Sequence, residues 1–311
     1  MKIIFMGTHQ FAVKILEKIL EKHEVVLVVT QPDSYVGRKK ILTPSAVKAC
    51  AIEHGLKVFQ PEKLNSEKEV ILNTECDLIV TAAYGQIIGM KILEHPRYKS
   101  INVHGSLLPK YRGGAPIQRA VINGDEKTGI TIMYMSKGMD EGDIIAQEEC
   151  EILNTDTSGD VFDKLSTLGS EMILDVIDQI EQGTNSRSPQ DHSQATYAYN
   201  LKKEDELLDF NRSAQQVYNQ IRGLNPNPGA YFTIDDVTYK VFSSCVSSKS
   251  GHGKEVGTIT NVSKVSFDIV CLDDTLITIS EFIPQGKRLM SVRDYLNGAG
   301  KNIIIEGKKV N

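Results

Sequence analysis

The stretch INVHGSLLPKYRGGAPIQ, residues 101–118, concentrates residues that can do chemistry. Asn102 and His104 stand two apart at the end of a short apolar run that reads as a strand, and that spacing projects both side chains from the same side of the backbone. Further along, TGITIMYMSKGMDEGDIIAQ predicts a strand over 128–135 and then a glycine-bearing loop with Asp140 and Asp143. Folded beside His104, that loop would add a carboxylate to an amide and an imidazole. The set contains no strong nucleophile, so a covalent intermediate is not expected. It suits direct transfer of an acyl group to an incoming amine. Asn102 and a protonated His104 would stabilise the oxyanion formed on a formamide carbonyl, while Asp140 would favour the charged imidazole and help to take the amine proton. A lone histidine at a strand end is more often structural than catalytic, so the weight rests on the three together.

Other chemistries find less support. The turn GTHQFA after the first strand lacks the second glycine of a dinucleotide fingerprint, and the second strand ends in Thr30 and Gln31 where an acidic ribose ligand would stand. No phosphate-cradling G-x-x-x-x-G-K-[ST] is present. The seven histidines form no H-E-x-x-H, and the HGSLLP around Ser106 is no G-x-S-x-G elbow. No metal is expected.

The elements that must position these residues alternate strand and helix over the first ninety residues, the pattern of a mostly parallel sheet with crossover helices. Strands are predicted over 2–6, 24–30, 77–82 and 100–103, and a helix over 11–22. Ligands in such sheets bind beyond the carboxyl ends of the strands. Residues 31–44, QPDSYVGRKKILTP, read as a long, mobile loop carrying Arg38, Lys39 and Lys40. A long helix is predicted over 157–182, then a polar linker over 183–196. Ser213 is a candidate N-cap for a helix through Arg222. Five β-like runs follow, over 230–234, 239–246, 257–262, 266–272 and 276–283, with a small helix over 291–297. The natural reading is a compact β-barrel.

With 311 residues, 41% of them hydrophobic, the chain can bury a substantial core, which excludes a disordered protein. Its net charge of −5 arises before residue 190, so bulk charge announces no nucleic-acid binder, although the tail from Leu276 onward is locally cationic. Five scattered cysteines with no C-x-x-C pair suggest neither a disulfide framework nor a thiolate zinc site. No signal-like or membrane-spanning apolar run stands out. A soluble cytoplasmic protein is expected.

Asn102, His104, the following SLLPKYRGGAPIQ and Asp140 within GMDEGDI together resemble the signature of the folate-dependent formyltransferases, and the likeness extends over nearly the whole chain. The resemblance implies an α/β, Rossmann-like formyltransferase domain over 1–189, a linker over 190–205 and a C-terminal OB-like β-barrel domain over 206–311 that binds tRNA. It makes Asn102, His104 and Asp140 the catalytic residues. It assigns the co-substrate 10-formyltetrahydrofolate to Ser106, Leu107, Leu108 and Pro109, with Ala82, Ala83, Tyr84, Gly85 and Gln86 lining its pterin pocket through backbone groups. It points Arg38, Lys39 and Lys40 at the acceptor end of a methionyl initiator tRNA, with Lys287 and Arg288 as further tRNA contacts, and implies a monomer.

The chain departs from the family pattern at His9 and Gln10 after GT, at Gly89 and Met90 after AAYGQII, and at Asn227, where a Trp is usual. Acceptors other than tRNA remain open from the residues. A sugar-nucleotide amine or water would use the same three groups, and a non-enzymatic RNA-binding module would use none of them. The basic loop and the second domain are the features that discriminate.

Overall fold

The computed structural model describes residues 1–37 and 40–311, so Arg38 and Lys39 lie outside the described residues. The chain divides into two compact units. Met1–Pro116, Lys127–Glu151 and Phe162–Asn200 form the first, and Ile117–Glu126, Ile152–Val161 and Leu201–Asn311 form the second.

In chain order the elements up to residue 182 are β1 (Lys2–Gly7), α1 (Phe11–Leu20), β2 (Glu24–Val29), β3 (Ser34–Val36), β4 (Ile41–Thr43), α2 (Ala46–Glu53), β5 (Val58–Phe59), α3 (Glu69–Leu72), β6 (Leu78–Ala82), α4 (Met90–Leu93), β7 (Ser100–His104), α5 (Pro116–Asn123), β8 (Lys127–Tyr134), β9 (Ile144–Glu151) and α6 (Ser158–Gln182). Seven strands make the sheet of the first unit, in the order β5-β2-β1-β6-β7-β8-β9. The pairs from β5 to β7 are parallel, and β8 and β9 each run antiparallel to the strand before. Ile3, Ile4, Phe5 and Met6 are all fully buried, so β1 is covered on both faces, as a parallel strand must be. Ala12, Ile15, Leu16 and Ile19 give α1 one apolar face and are buried along it.

The strands predicted for this sheet lie within a residue of their observed ends. Residues 31–44 differ from the expected loop: β3 and β4 pair antiparallel there, Tyr35 opposite Leu42 and Val36 opposite Ile41. Apolar residues flank the cations on both sides, and Gly37 at φ +72° and Lys40 at φ +46° supply the reversal of a short hairpin.

The second unit contains α7 (Ala214–Gly223), β10 (Tyr231–Ile234), β11 (Val237–Val246), β12 (Ile259–Thr260), β13 (Phe267–Val270), β14 (Leu276–Pro284), β15 (Met290–Ser291) and α8 (Val292–Leu296). Ser213 caps α7 in a reciprocal box with Gln216. The strands run antiparallel in the order β10-β11-β14-β13-β12, with β15 on β14, in a sheet curled as a half-barrel of OB type. An ion pair and an arginine-to-carbonyl contact tie the early segments in here. Arg119 grips Asp205 with two hydrogen bonds, 3.1 and 2.8 Å, and buried Arg222 donates to the carbonyls of Leu153 and Asp156 at 3.3 and 3.0 Å. No helix among the described residues is long and apolar enough to cross a membrane.

Aromatic rings fill the half-barrel. Phe282 meets Tyr239, Phe267 and Tyr295 edge-on at 5.6, 6.2 and 5.2 Å between centroids. Asn227 is exposed and lies outside that buried core. Replacing Phe282 by Ala removes the ring at the centre of three such contacts and is expected to destabilise the second unit by about 3–5 kcal/mol. Urea unfolding followed by tyrosine fluorescence checks it; an unchanged midpoint would contradict the packing described.

Candidate active site

Asn102 and His104 lie on β7, between β6 and β8, and their spacing places them on one face. Thr81 of β6 pairs with Asn102 in register and donates its hydroxyl to Asn102 Oδ1 at 2.7 Å. That bond sets which end of the amide is the oxygen, and Nδ2 has no hydrogen-bond partner among the described residues. His104 is 6% exposed. Its Nε2 lies 3.0 Å from the carbonyl oxygen of Tyr111. A carbonyl can only accept, so Nε2 carries a proton, and Nδ1 is the nitrogen free to gain or lose one. Nδ1 faces Asp140 Oδ2 at 3.7 Å.

The loop bearing Asp140 reaches this place by an indirect route. Because β8 is antiparallel to β7, Tyr134 at its end pairs with Ile101, three residues before His104. At the ordinary strand rise the loop therefore leaves the sheet about 10 Å short of the imidazole and must fold back. Gly142 makes the fold possible: a Cβ there would lie 1.8 Å from the Tyr134 carbonyl oxygen. Asp140 itself has φ +50°, a left-handed backbone that non-glycine residues adopt at a cost. Its Oδ2 accepts from the Gly113 N–H at 2.8 Å. Gly113, at φ +118°, is the residue type that position demands.

Among the residues expected at the folate, Ala82 ends β6, and Ala83 and Gly85 follow with φ of +46° and +93°. The carbonyl oxygen of Tyr84 accepts from Thr8 Oγ1 at 2.7 Å, and the Gln86 side chain bonds Leu64 N, Pro61 O and Gln31 Oε1. This leaves the segment fixed in shape, with its side-chain amide already engaged. Burial pushes the Tyr84 phenol up to about 12. Ser106 Oγ donates to the Lys110 carbonyl at 2.7 Å, closing its own turn, and the backbone of Leu108 is engaged by Thr131 and Gln147. Leu107 and Pro109 are partly exposed beside them. Both segments follow the carboxyl ends of adjacent strands, β6 and β7, next to Asn102.

Gly89 has a structural reason: its N–H donates to Asn65 Oδ1 at 2.8 Å, so close that a Cβ would meet that oxygen at 2.6 Å. His9 is held below its usual pKa by burial, and Met90 opens α4. Of the expected tRNA contacts, Lys40 is exposed at the β3–β4 turn of the first unit. Lys287 and Arg288 are exposed on the β14–β15 connection of the second. Arg38 and Lys39 lie outside the described residues.

Sequence reasoning assigned no role to Thr81, which bonds the Asn102 amide through its hydroxyl, to Tyr111 and Gly113, which act through their backbone within residues 101–118, or to Gln190, which acts through the Asp140 loop. Elsewhere Glu17, Cys50 and His54 bring three ligand-type atoms within 4.8 Å of one another. Burial pushes the Cys50 thiol up to about 11.

Two family models match the chain: formyl transferase over residues 1–177, and formyl transferase, C-terminal domain, over residues 200–300. A methionyl-tRNA formyltransferase of Staphylococcus epidermidis is 48% identical over 306 residues, 97% of this chain and 98% of that protein. One of Staphylococcus aureus is 45% identical over 311 residues, 99% of each. Among solved structures, WlaRD, a sugar 3N-formyl transferase crystallised with dTDP and 5-N-formyl-THF, superposes with a TM-score of 0.68 at 22% identity, covering 93% of this chain and 99% of that one. An N-formyltransferase of Helicobacter canadensis gives 0.69 at 21% identity, covering 90% and 98%. These two likenesses speak to fold alone.

The hydrogen bond to Tyr111 predicts that neutral His104 exists as the Nε2–H tautomer. Long-range proton–nitrogen correlation NMR on labelled protein reads the tautomer directly, and an Nδ1–H form would overturn the ring placement.

Proposed function

The chain belongs to the formyl transferase family, and from that premise we propose that it moves the formyl group of 10-formyltetrahydrofolate to the free amino group of methionyl initiator tRNA. Identity of 45–48% over nearly the whole length to enzymes bearing that name carries the reading, and Asn102, His104 and Asp140 would supply its chemistry. The methionyl nitrogen bonds to the formyl carbon, the bond from that carbon to N10 of the folate breaks, and the proton lost by the amine ends on N10. Asn102 Nδ2 and the Nδ1–H of the His104 imidazolium donate to the oxyanion of the tetrahedral intermediate, while Nε2–H stays on the Tyr111 carbonyl. The Asp140 carboxylate balances that charge and relays the proton. The folate lies along 82–86 and 106–109, where shaped backbone offers its carbonyl and amide groups. Lys40, with Arg38 and Lys39, and Lys287 with Arg288 meet the tRNA phosphates, and the protein works as a monomer in the cytoplasm.

Incubation with labelled 10-formyltetrahydrofolate and either methionyl initiator tRNA or a sugar-nucleotide amine tests the acceptor. Label is expected in the tRNA alone; label only in the sugar would refute the assignment. Asn102→Ala removes one oxyanion donor and should lower kcat by about a hundredfold. His104→Ala should lower it by about 10²–10⁴-fold with tRNA affinity unchanged, and a fully active variant would end the proposal.

Each phosphate contact contributes a released counterion, so tRNA affinity falls steeply with salt. Lys40→Ala is expected to reduce the slope of log affinity against log salt by about one while leaving the KM for folate unaltered. Filter binding across a salt series measures it, and an unchanged slope removes Lys40 from the interface.

A further inference from the structure

The loop that carries Asp140 is held by a buried assembly that the proposed chemistry does not itself use. Gln190, 6% exposed, donates from Nε2 to the carbonyl oxygens of Asp140 and Gly142 at 2.9 and 2.8 Å. Its Oε1 accepts two bonds from the Arg112 guanidinium, from Nε at 3.1 Å and from Nη2 at 2.7 Å. Arg112 is 2% exposed and has no carboxylate partner among the described residues; its remaining contact is His192 Nδ1 at 3.3 Å. A cation bound to the oxygen of an amide polarises it and strengthens its NH2 as a donor. The charge of Arg112 is thereby directed through one side chain onto the two carbonyls that fix Asp140 in its left-handed backbone.

The same strand of chain secures the other half of the site. Ser188 and Ile144 exchange backbone bonds of 3.0 and 2.8 Å, Thr196 accepts from Arg112 N–H at 2.8 Å, and Ala198 donates to the Arg112 carbonyl at 2.7 Å. Thr196 Oγ1 also accepts from Tyr111 N–H at 2.9 Å, beside the carbonyl that holds His104. Residues 188–198 therefore lash the Tyr111–Gly113 turn to the Asp140 loop, and Gln190 is the side chain at the crossing.

Resting on the proposed formyl transfer, we infer that Gln190, polarised by Arg112, is a positioning residue that sets Asp140 against His104. A residue acting through Asp140 loses its effect once that carboxylate is gone. Gln190→Met keeps length and removes both donors. It should lower kcat by about twentyfold or more with both KM values within about threefold, yet by less than about twofold when added to Asp140→Asn. Losses that multiply in full in both backgrounds would show mere destabilisation and overturn the inference, as would an undiminished kcat. Where Gln190→Met fails to fold, Gln190→Glu, which keeps the acceptor for Arg112 and lacks the donors, carries the same expectation. The wild type separates the two readings: an active wild type with multiplying losses refutes only the role of Gln190, whereas a wild type that forms no formyl-methionyl-tRNA refutes the function. The His104 ring nitrogen shifts decide the role without substrate. They should move in Gln190→Met as they move in Asp140→Asn, and unchanged shifts would reject it.

Discussion

The structure of the first unit turns on one requirement: a carboxylate has to face an imidazole that sits on a different strand, at the wrong end for the loop supplying it. Parallel strands deliver their following loops to one edge of the sheet, where β6 and β7 bring 82–86 and 106–109 and local hydrogen bonds set their shape. The reversal at β8 denies Asp140 that route. Its loop starts beside Ile101 and is turned back by Gly142, caught by Gly113 N–H and tied by Gln190. Each device answers the same geometric debt, and none is needed for the strands themselves. Asn102 and His104, in contrast, are placed by β7 alone, with Thr81 and Tyr111 only choosing how the amide and ring are turned.

This difference explains what the sequence made legible. The central strands of the α/β unit, β1, β6 and β7, show as apolar runs because both their faces are buried, and the barrel strands show as short runs between turn residues. The pair on β7 could be read from a spacing of two, since strand periodicity fixes where such residues point. Asp140 could be named from its motif, but nothing in a period of two or 3.6 says that its loop doubles back. The hairpin at 31–44 was hidden because three-residue strands are too short to display alternation, and three adjacent cations dominate the composition there. Gln190 was hidden more deeply. It lies in GTNSRSPQDHSQAT, where small polar residues give the composition of a linker, although this stretch bonds to both loops of the site.

Polar composition is an ambiguous signal for a physical reason. A segment without large apolar side chains cannot hold itself in place by burial, so it is either solvated or bound through backbone and amide hydrogen bonds. The second solution suits an active site, because hydrogen bonds are directional and fix a carbonyl or carboxylate to within a fraction of an ångström, which apolar packing alone does not do. Leaving such a bond unmade in the interior costs about 1–3 kcal/mol, so the arrangement around Asp140 is stiff as well as aligned.

The exposed cations follow the opposite logic. Lys40 at the tip of one hairpin and Lys287 and Arg288 on a barrel turn are held by nothing that the cores require. A long cationic side chain in water can meet a phosphate through attraction that tolerates small errors in position, whereas the proton transfer proposed at His104 does not. Strands, and a loop tied down by directed hydrogen bonds, therefore carry the groups that must be exact, and exposed turns carry those that need only be present. A fold divided in this way can change its acceptor by altering turns while the sheet that performs the acyl transfer stays as it is.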